Sequence, residues 1–417
     1  MQQRKRVRLR NIGILLAIIG PGLITSLVDN DAGGITTYSV AGASFGYSML
    51  WTLIPITFLL ILVQEMCARM GAITGKGLSD LIRENFGVTI TMFIMVGLVI
   101  ANLAVTMAEF VGMAAVGEMF GLSKYMVVGS MALLVLFLII RFNYRSLEKI
   151  FLGLSVFYIA YILSAILAKP DWGFVMKQTL TPTITISAGY LVLLIGVVGT
   201  TITPWMQFYL QSAVVEKGIT RKDYKYSKWD TIIGCIVTDV IAFFIIVVCA
   251  ATLFTNGIAI EGAVDAAAAL RPLAGNYASL LFGIGFFGAA FLGAFIVPLA
   301  TSFFVCEAFG WESGVNKRLH EAKQFYGLLF MMLAVSAGII LIPNLQLVKF
   351  MIMSQVINGV LLPVILIAIL LLINKKELMG NYTNSTWYNI FAWGGSILII
   401  IITVVMIYMS FLHGVAF

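Results

Sequence analysis

Long runs of apolar residues, separated by short polar connections, make up almost the whole chain. A helix needs about 20 apolar residues to cross a hydrocarbon core of about 30 Å. Eleven runs meet this requirement, with predicted bounds at 12–45, 48–71, 88–120, 124–142, 149–168, 183–215, 229–254, 275–308, 325–342, 346–373 and 386–412. The pattern predicts an all-α polytopic membrane protein with eleven transmembrane helices.

The first and sixth runs are interrupted by residues that disrupt a helix. The first contains Gly20-Pro21-Gly22 and then Asp29-Asn30-Asp31-Ala32-Gly33-Gly34, and the sixth contains Thr200-Thr201-Ile202-Thr203-Pro204. Glycine is a poor helix former and proline lacks a backbone donor, so we expect unwinding at residues 29–34 and a free carbonyl near Thr200. Broken segments at corresponding places in two halves are typical of inverted-repeat transporters, which bind their substrate between the breaks.

This arrangement predicts a single transmembrane transport domain over residues 1–417. We expect a basic cytoplasmic arm at 1–10, a first repeat at 11–170, a second, inverted repeat at 180–375 and a further helix at 385–412. The first ten helices then form two halves of five, and helices 1 and 6 are the broken ones.

The two aspartates in the first break need an explanation. A charge near the middle of a bilayer costs at least ~2.5 kcal/mol, and ionisable residues inside a membrane generally have a function. Asp29 and Asp31, together with backbone carbonyls freed by the break, would suit a cation. A simpler explanation stays open for each break. In the first, Asp29 or Asp31 only caps the following half-helix; in the sixth run, Pro204 only kinks the helix.

Composition and charge narrow the class of protein. Hydrophobic residues make up 61% of the chain, charged residues 11%, and the mean hydropathy is +1.02, whereas soluble proteins have roughly 25% charged residues. The four cysteines are widely spaced within apolar runs, which predicts neither disulfides nor a thiolate metal site. We expect no enzyme activity and no prosthetic group.

The net charge of +7 is explained by the positions of the basic residues. Of 26 lysines and arginines, 21 lie in alternate connections, which places the amino terminus inside and the carboxyl terminus outside. The other five are Lys124, Lys169, Lys177, Arg271 and Lys349. The positive charge therefore indicates contact with anionic membrane lipid, and we expect no nucleic-acid partner and no obligate protein partner.

At these residues the chain resembles the natural resistance-associated macrophage protein (NRAMP) family of divalent-metal transporters, over nearly its whole length. The resemblance rests on Gly20-Pro21-Gly22 with Asp31 and Ala41-Gly42-Ala43-Ser44-Phe45-Gly46-Tyr47, on Thr203-Pro204 with Tyr209-Leu210-Gln211-Ser212-Ala213, and on Ser354-Gln355-Val356 with Asn374-Lys375-Lys376-Glu377-Leu378-Met379-Gly380. It implies the LeuT-type inverted-repeat fold of that family.

The departures from the family pattern bear on the choice of ion. Transition-metal transporters of the family have Asp-Pro-Gly-Asn in the first break and Ala-x-x-Met-Pro-His in the sixth. Here those places hold Asp31-Ala32-Gly33-Gly34 and Thr200-Thr201-Ile202-Thr203-Pro204-Trp205. In the third helix, Thr106 and Glu109 stand where the family has Asp-x-x-Glu. This pattern resembles the NRAMP-related magnesium transporters, a branch of the same family.

The substitutions also have a physical meaning that does not depend on the branch. Thioether ligands select softer transition metals, while Mg²⁺ prefers oxygen ligands at ~2.0–2.1 Å and gives up its waters reluctantly. Thr203 removes the thioether, and Gly34 in place of Asn would leave room for an ion that keeps several waters. Oxygen ligands do not exclude Mn²⁺, so we expect Mg²⁺ and Mn²⁺ both to be carried.

The sequence thus predicts a transported Mg²⁺ or Mn²⁺ ion at the two breaks. The predicted ligands are Asp31, Gly34, Thr200 and Thr203. Residues predicted around the ion or along its path are Asp29, Thr106, Glu109, Gln207, Asp239 and Gln355. For three of these residues simpler roles stay open: Glu109 could be structural, Asp239 could form a hydrogen bond across helices, and Gln355 could pair with a neighbouring helix.

The predicted function is secondary transport of divalent cations by alternating access, in the plasma (inner) membrane of a prokaryote. Obligatory proton coupling is not expected, because no histidine lies within the membrane and Thr106 replaces one acid of the family's pair. The alternatives are a proton-coupled Mn²⁺/Fe²⁺ transporter of the NRAMP type and an amino-acid transporter of the LeuT fold.

Overall fold

The chain folds into α-helices joined by short connections. The structure is a computed structural model, and it describes residues 20–185, 187–260, 265, 267, 276–342 and 347–413. The α-helices within these ranges are α1 (Pro21–Val28), α2 (Ala32–Phe45), α3 (Leu50–Thr74), α4 (Leu78–Met119), α5 (Lys124–Arg141), α6 (Tyr144–Leu154), α7 (Ile159–Leu167), α8 (Trp172–Leu180), α9 (Ala188–Thr201), α10 (Pro204–Glu216), α11 (Tyr224–Thr252), α12 (Asn276–Phe309), α13 (Lys323–Ile340), α14 (Leu347–Ile373), α15 (Lys376–Met379) and α16 (Thr386–His413).

Ten helical segments in the described ranges are long and apolar enough to cross a membrane. One of them, Ala32–Thr74, contains the second half of the first predicted crossing and all of the second. The beginning of the first crossing, at residues 12–19, and the basic arm at 1–10 lie outside the described residues. The count of eleven crossings therefore stays a prediction, while the long apolar helices are confirmed.

The first break is shorter than the sequence indicates. Only Asp29, Asn30 and Asp31 lie between α1 and α2, whereas we expected unwinding through residue 34. Gly33 and Gly34 belong to the first turn of α2. These glycines are therefore not needed to interrupt the helix, and the site described below gives a different reason for them.

Other predicted boundaries also differ from the structure. The crossing predicted at 88–120 belongs to a helix that begins at Leu78 and has non-helical backbone angles at Gly87. The crossing predicted at 149–168 begins at Tyr144, and a 3₁₀ turn at Ser155–Tyr158 divides it into two α-helices. The crossing predicted at 183–215 becomes helical only at Ala188.

The break in the sixth predicted crossing is confirmed. Helix α9 ends at Thr201, Ile202 and Thr203 have non-helical backbone angles, and α10 starts with Pro204 at its first position. Proline is favourable there because the first N–H of a helix has no intrahelical partner. The chain therefore ends one half-helix and starts another within two residues.

Helix α1 is held closely against α11. A β-carbon at Gly234 would lie 2.7 Å from the backbone oxygen of Gly22, so the two backbones approach to a distance that larger residues would prevent. Asp230 on α11 accepts hydrogen bonds from the backbone N–H groups of Gly20 (3.2 Å), Gly22 (2.7 Å) and Leu23 (3.3 Å). Its carboxylate satisfies the free donors at the start of α1 and complements the positive end of the helix dipole.

Helix α2 lies inside the helix bundle, where it contacts α4, α9, α11, α12 and α14. Residues 29–31, just before it, are at most 1% exposed. Non-helical backbone at this depth is tolerated only where protein surrounds it or where it lines a cavity. The packing thus brings the first break next to the second, as the pattern of broken segments predicts.

Candidate metal site between the two helix breaks

Asp31 lies at the start of α2. One of its carboxylate oxygens accepts hydrogen bonds within the protein, and the other has no partner among the described residues. Its extended backbone makes it the N-cap residue, and Oδ1 accepts hydrogen bonds from the Gly34 N–H (2.6 Å) and from Gln355 Nε2 (3.3 Å). Oδ2 is buried and has no hydrogen-bond partner among the described residues. Capping is therefore part of the role of Asp31 but does not account for the second oxygen, since buried polar atoms are normally paired.

Asp29 connects the two breaks directly. The Thr203 hydroxyl, at the start of α10, donates a 2.9 Å hydrogen bond to Asp29 Oδ1. Asp29 Oδ2 is buried without a partner in the described part of the chain. The sequence placed Thr203 on the ion and Asp29 farther out, but the structure shows these two side chains bonded to each other, so both belong to the contact between the breaks.

Thr200 presents a free hydroxyl to the first break. Threonine in a helix commonly bonds the carbonyl four residues earlier, as Thr201 does with Val197 O at 2.7 Å. Thr200 Oγ1, by contrast, is buried and has no partner within the described ranges. The sequence indicated the backbone carbonyl of Thr200 as the oxygen donor, and the structure adds its side chain.

Gly34 lies directly beside the Thr200 hydroxyl, where a larger residue would not fit without a shift of its neighbours. A β-carbon at Gly34 would lie 2.7 Å from Thr200 Oγ1, 2.9 Å from the backbone oxygen of Asp29 and 3.3 Å from Asp31 Oδ1. The space left by the missing side chain is therefore lined closely by three oxygen atoms. The absence of a side chain at Gly34 lets these oxygens approach the turn. That Gly34 also leaves room for a hydrated ion stays a prediction.

Gln355, on α14, is in direct contact with Asp31 and is itself positioned by Asn358, whose Nδ2 donates to Gln355 Oε1 at 3.1 Å. A β-carbon at Gly33 would lie 2.2 Å from Gln355 Nε2. Of the two roles left open for Gln355, the structure supports pairing with another helix. It also explains why residue 33 has no side chain.

Glu109, on α4, lies against the start of α2. Its Oε2 accepts a 3.1 Å hydrogen bond from the Ala32 N–H, and its carboxyl group is close enough to that of Asp31 to interact with it electrostatically. A β-carbon at Gly293 would lie 2.4 Å from the Glu109 carboxyl carbon, so α12 closes the other side. Two carboxylates this close repel each other strongly unless a cation or a proton lies with them.

The other three predicted residues differ in their relation to the breaks. Gln207 Nε2 donates to Thr203 O at 3.4 Å and is therefore part of the second break. Asp239 is close enough to Asp29 to interact with it electrostatically, and neither of its carboxylate oxygens has a partner in the residues described. Thr106 donates to Asn102 O in its own helix, at 2.7 Å, and in the described residues no hydrogen bond joins its side chain to either break.

Sequence reasoning assigned no role to Asn30, which holds the first break in place. Its Nδ2 donates to both the backbone oxygen and the hydroxyl of Thr238, each at 2.9 Å, and its backbone oxygen accepts from the Tyr158 hydroxyl at 3.2 Å. The position of Asn30 between two aspartates in an apolar run could have indicated its role from the sequence. Nothing in the sequence indicates the roles of Tyr158 and Thr238, because their contacts depend on the packing of distant segments.

The candidate site is therefore a set of oxygen atoms at the two breaks and on the helices beside them. Among the residues that the structure describes, no group of three or more His, Cys, Asp or Glu side chains could hold a metal ion. The available donors are instead mixed: carboxylate oxygens of Asp29 and Asp31, the hydroxyl of Thr200 and backbone carbonyls. Such a set suits a hard cation that is bound partly by neutral oxygen.

Comparison with known families agrees with this geometry. The profile of the Nramp family, described as natural resistance-associated macrophage protein-like, matches residues 22–409. The chain belongs to the Nramp family. It is 29% identical over 422 residues to the divalent metal cation transporter MntH of Bacillus subtilis, covering 97% of this chain and 95% of that protein. It is 27% identical over 389 residues to MntH of Klebsiella pneumoniae, covering 91% of each.

Solved structures of similar fold include other transporters. The manganese transporter of Eremococcus coleocola, in complex with an aromatic bis-isothiourea compound, has a TM-score of 0.76 at 22% identity, covering 94% of this chain and 86% of that one. The nucleobase-cation-symport-1 family transporter Mhp1 has a TM-score of 0.58 at 14% identity, covering 94% and 93%. The predicted all-α, inverted-repeat fold of this Nramp-family membrane protein is confirmed.

Proposed function

We propose that this Nramp-family protein is a secondary transporter that carries divalent cations between its two helix breaks by alternating access. The observation that carries the proposal is the group of buried oxygens without partners in the described residues: Asp29 Oδ2, Asp31 Oδ2 and Thr200 Oγ1. Burying such atoms unpaired is costly, and a bound cation would compensate that cost. The relatives of this chain that are named divalent metal cation transporters support the same function.

Within that function, Mg²⁺ is the preferred substrate and Mn²⁺ is also carried. Thr203 stands where transition-metal transporters have a thioether, so oxygen donors dominate the breaks, as hard Mg²⁺ requires. Mn²⁺ accepts similar ligands and has the lowest affinity among the first-row transition metals. These features support the proposal that the chain belongs to the magnesium-transporting branch and that Asp31 is the main charged ligand.

Flux into proteoliposomes tests this function. Proteoliposomes that contain the purified protein should take up Mg²⁺ and Mn²⁺ along the concentration gradient of each ion. Mg²⁺ added outside should reduce Mn²⁺ uptake. Amino acids should neither be taken up nor compete. Uptake of Mn²⁺ that millimolar Mg²⁺ does not reduce would contradict the preference for Mg²⁺, and absence of any metal flux would contradict the function itself.

An amino-acid substrate fits the first break poorly. A substrate carboxylate would be expected at the amino terminus of a half-helix. At the start of α2, Asp31 already caps the Gly34 N–H and Glu109 accepts from the Ala32 N–H. A third carboxylate there would meet two acidic side chains, which makes an anionic substrate group unfavourable.

The proton-coupled alternative has one specific observation in its favour: the carboxyl groups of Glu109 and Asp31 are close enough to interact electrostatically. A proton could occupy this pair when the ion leaves. We still propose uptake without obligatory proton coupling, because Thr106 stands where the family's Asp-x-x-Glu pair has its aspartate. The two histidines, His320 and His413, lie in a connection and at the end of α16.

We therefore expect Mg²⁺ uptake into proteoliposomes without proton entry at a fixed ratio. A pH-sensitive dye inside the vesicles, read together with Mg²⁺ uptake, makes the measurement, and the Glu109→Gln variant is the control. Metal-dependent acidification in stoichiometric proportion to uptake, lost in Glu109→Gln, would establish the proton-coupled alternative instead.

The proposed orientation, with the amino terminus in the cytoplasm of a prokaryote and the carboxyl terminus outside, follows from the distribution of basic residues. It predicts that a cysteine replacing Lys222, between α10 and α11, reacts with a membrane-impermeant maleimide only after the cells are opened. A cysteine replacing Lys177, on α8, should react in intact cells. Both positions are exposed, and the four native cysteines are buried. The reverse labelling pattern would show the opposite orientation.

A further inference from the structure

A cavity of about 600 Å³ opens on the side of the protein away from the helix breaks, between the beginning of α4, the end of α14 and the beginning of α16. Its apolar wall includes Leu371 and Trp393, and its polar rim is formed by Asn374, Lys375 and Asn389. The rim lies where two long apolar helices, α14 and α16, meet their polar connection. The cavity therefore spans the boundary between a membrane-facing surface and a polar one.

The positive charge of Lys375 at this rim has no counter-charge among the residues that the structure describes. Its ammonium group donates to the neutral Asn85 Oδ1 at 2.9 Å and lies 5.7 Å from the centre of the Phe86 ring. In the described ranges no carboxylate lies within salt-bridge distance of Lys375, and the nearby Glu84 is paired with Lys76 at 2.7 Å. Lys375 is only partly exposed, so water compensates its charge incompletely.

The asparagines fix the rest of the rim. Asn374 Nδ2 donates to Asn389 Oδ1 (2.9 Å), and Asn389 Nδ2 donates back to Asn374 Oδ1 (2.8 Å). Asn374 uses its other N–H on Leu370 O (2.8 Å), while Asn389 uses only one of its two N–H groups in this pair. The rim therefore offers an ammonium group and an amide N–H, both donors, beside an apolar wall.

We propose that this cavity binds the headgroup of an anionic phospholipid, with its phosphate at Lys375 and Asn389 and an acyl chain along Leu371 and Trp393. Basic pockets between transmembrane helices commonly bind anionic headgroups, and tryptophan favours the interfacial level of the bilayer. The neighbouring surface is suited to lipid, since Trp387, Ile390 and Phe391 of α16 are 73%, 53% and 52% exposed. In the proposed orientation the cavity faces the cytoplasmic leaflet, where anionic lipids produce a negative surface potential.

Lipid binding to the purified protein tests this site. Native mass spectrometry, together with thermal unfolding in mixed micelles, should show a preference for phosphatidylglycerol over phosphatidylcholine of about fivefold, the size expected for one lysine near an anionic lipid. Lys375→Gln should abolish the preference, while Lys375→Arg should retain it. Lys376→Gln is the matched control, because Lys376 is the next residue and is exposed but does not line the cavity.

Two results would overturn the proposal. One is a preference that survives in Lys375→Gln, or that falls equally in Lys376→Gln, because the attraction would then be a general effect of surface charge. The other is stabilisation of the parent protein by inorganic phosphate as strong as that by phosphatidylglycerol, because the site would then bind a free anion rather than lipid. Neither readout depends on which ion the protein transports.

Discussion

Replacing Asp31 with asparagine is expected to reduce Mg²⁺ uptake by at least about 100-fold, since a lost contact of roughly 3 kcal/mol between a carboxylate and a divalent ion corresponds to two factors of ten. The substitution separates the two roles of Asp31. Asparagine is as good an N-cap as aspartate, so its side-chain oxygen can still accept from the Gly34 N–H. The start of α2 should therefore persist while the negative charge is lost.

The measurement is initial Mg²⁺ uptake into proteoliposomes, together with the thermal stabilisation of purified protein by added Mg²⁺. Asp31→Asn should unfold at nearly the parent temperature in the absence of metal and show no Mg²⁺-induced shift. Asp171→Asn is a suitable control, because Asp171 also caps a helix but lies at an exposed position. Asp31→Asn protein that transports at the parent rate would mean that Asp31 acts only as a cap.

Local chemistry made much of this site predictable. Pro204 cannot donate a backbone hydrogen bond, and two buried aspartates cannot belong to an ordinary lipid-facing helix, so both breaks could be located from neighbouring residues alone. The regular spacing of apolar runs in turn indicated the helices that enclose them. In each case the signal and its cause lie within a few residues of each other.

The rest of the site depends on contacts between distant segments, which leave no local signal. Gln355 bonds Asp31 across 324 positions, and Asp230 caps α1 from about 210 positions away. The hydroxyl of Thr200 has no partner in the described part of the chain and that of Thr201 does, although the two residues are adjacent and identical. This difference follows from which face of α9 meets α2, and the sequence of α9 alone does not reveal it.

The close approach of Thr200 to Gly34 leads to the second large expected effect. Gly34→Asn alone should nearly abolish uptake of both Mg²⁺ and Mn²⁺, because its β-carbon would lie 2.7 Å from Thr200 Oγ1 and 2.9 Å from Asp29 O. Thr200→Ala removes the nearer of these atoms. Transition-metal transporters of the family have asparagine and alanine at these two places, which suggests that the two positions must change together.

We therefore expect the double variant Gly34→Asn with Thr200→Ala to recover metal uptake that Gly34→Asn loses. Gly34→Asn with Thr201→Ala is the matched control and should not recover it, since Thr201 Oγ1 bonds Val197 O and Tyr38 and is not among the atoms next to Gly34. Equal recovery in both double variants would show that the loss came from general disruption of α9 rather than from the Thr200 contact.

Adding Thr203→Met to the recovered double variant should then change the ion preference. A thioether at the second break favours Mn²⁺ over Mg²⁺, and the same change removes the hydroxyl that now donates to Asp29. The ratio of Mn²⁺ to Mg²⁺ uptake should rise by at least about tenfold, equivalent to about 1.4 kcal/mol of discrimination. If the triple variant recovers transport at the parent ratio, residue 203 does not contact the ion, and selectivity must arise from groups that this variant keeps, such as Asp29 and Asp31.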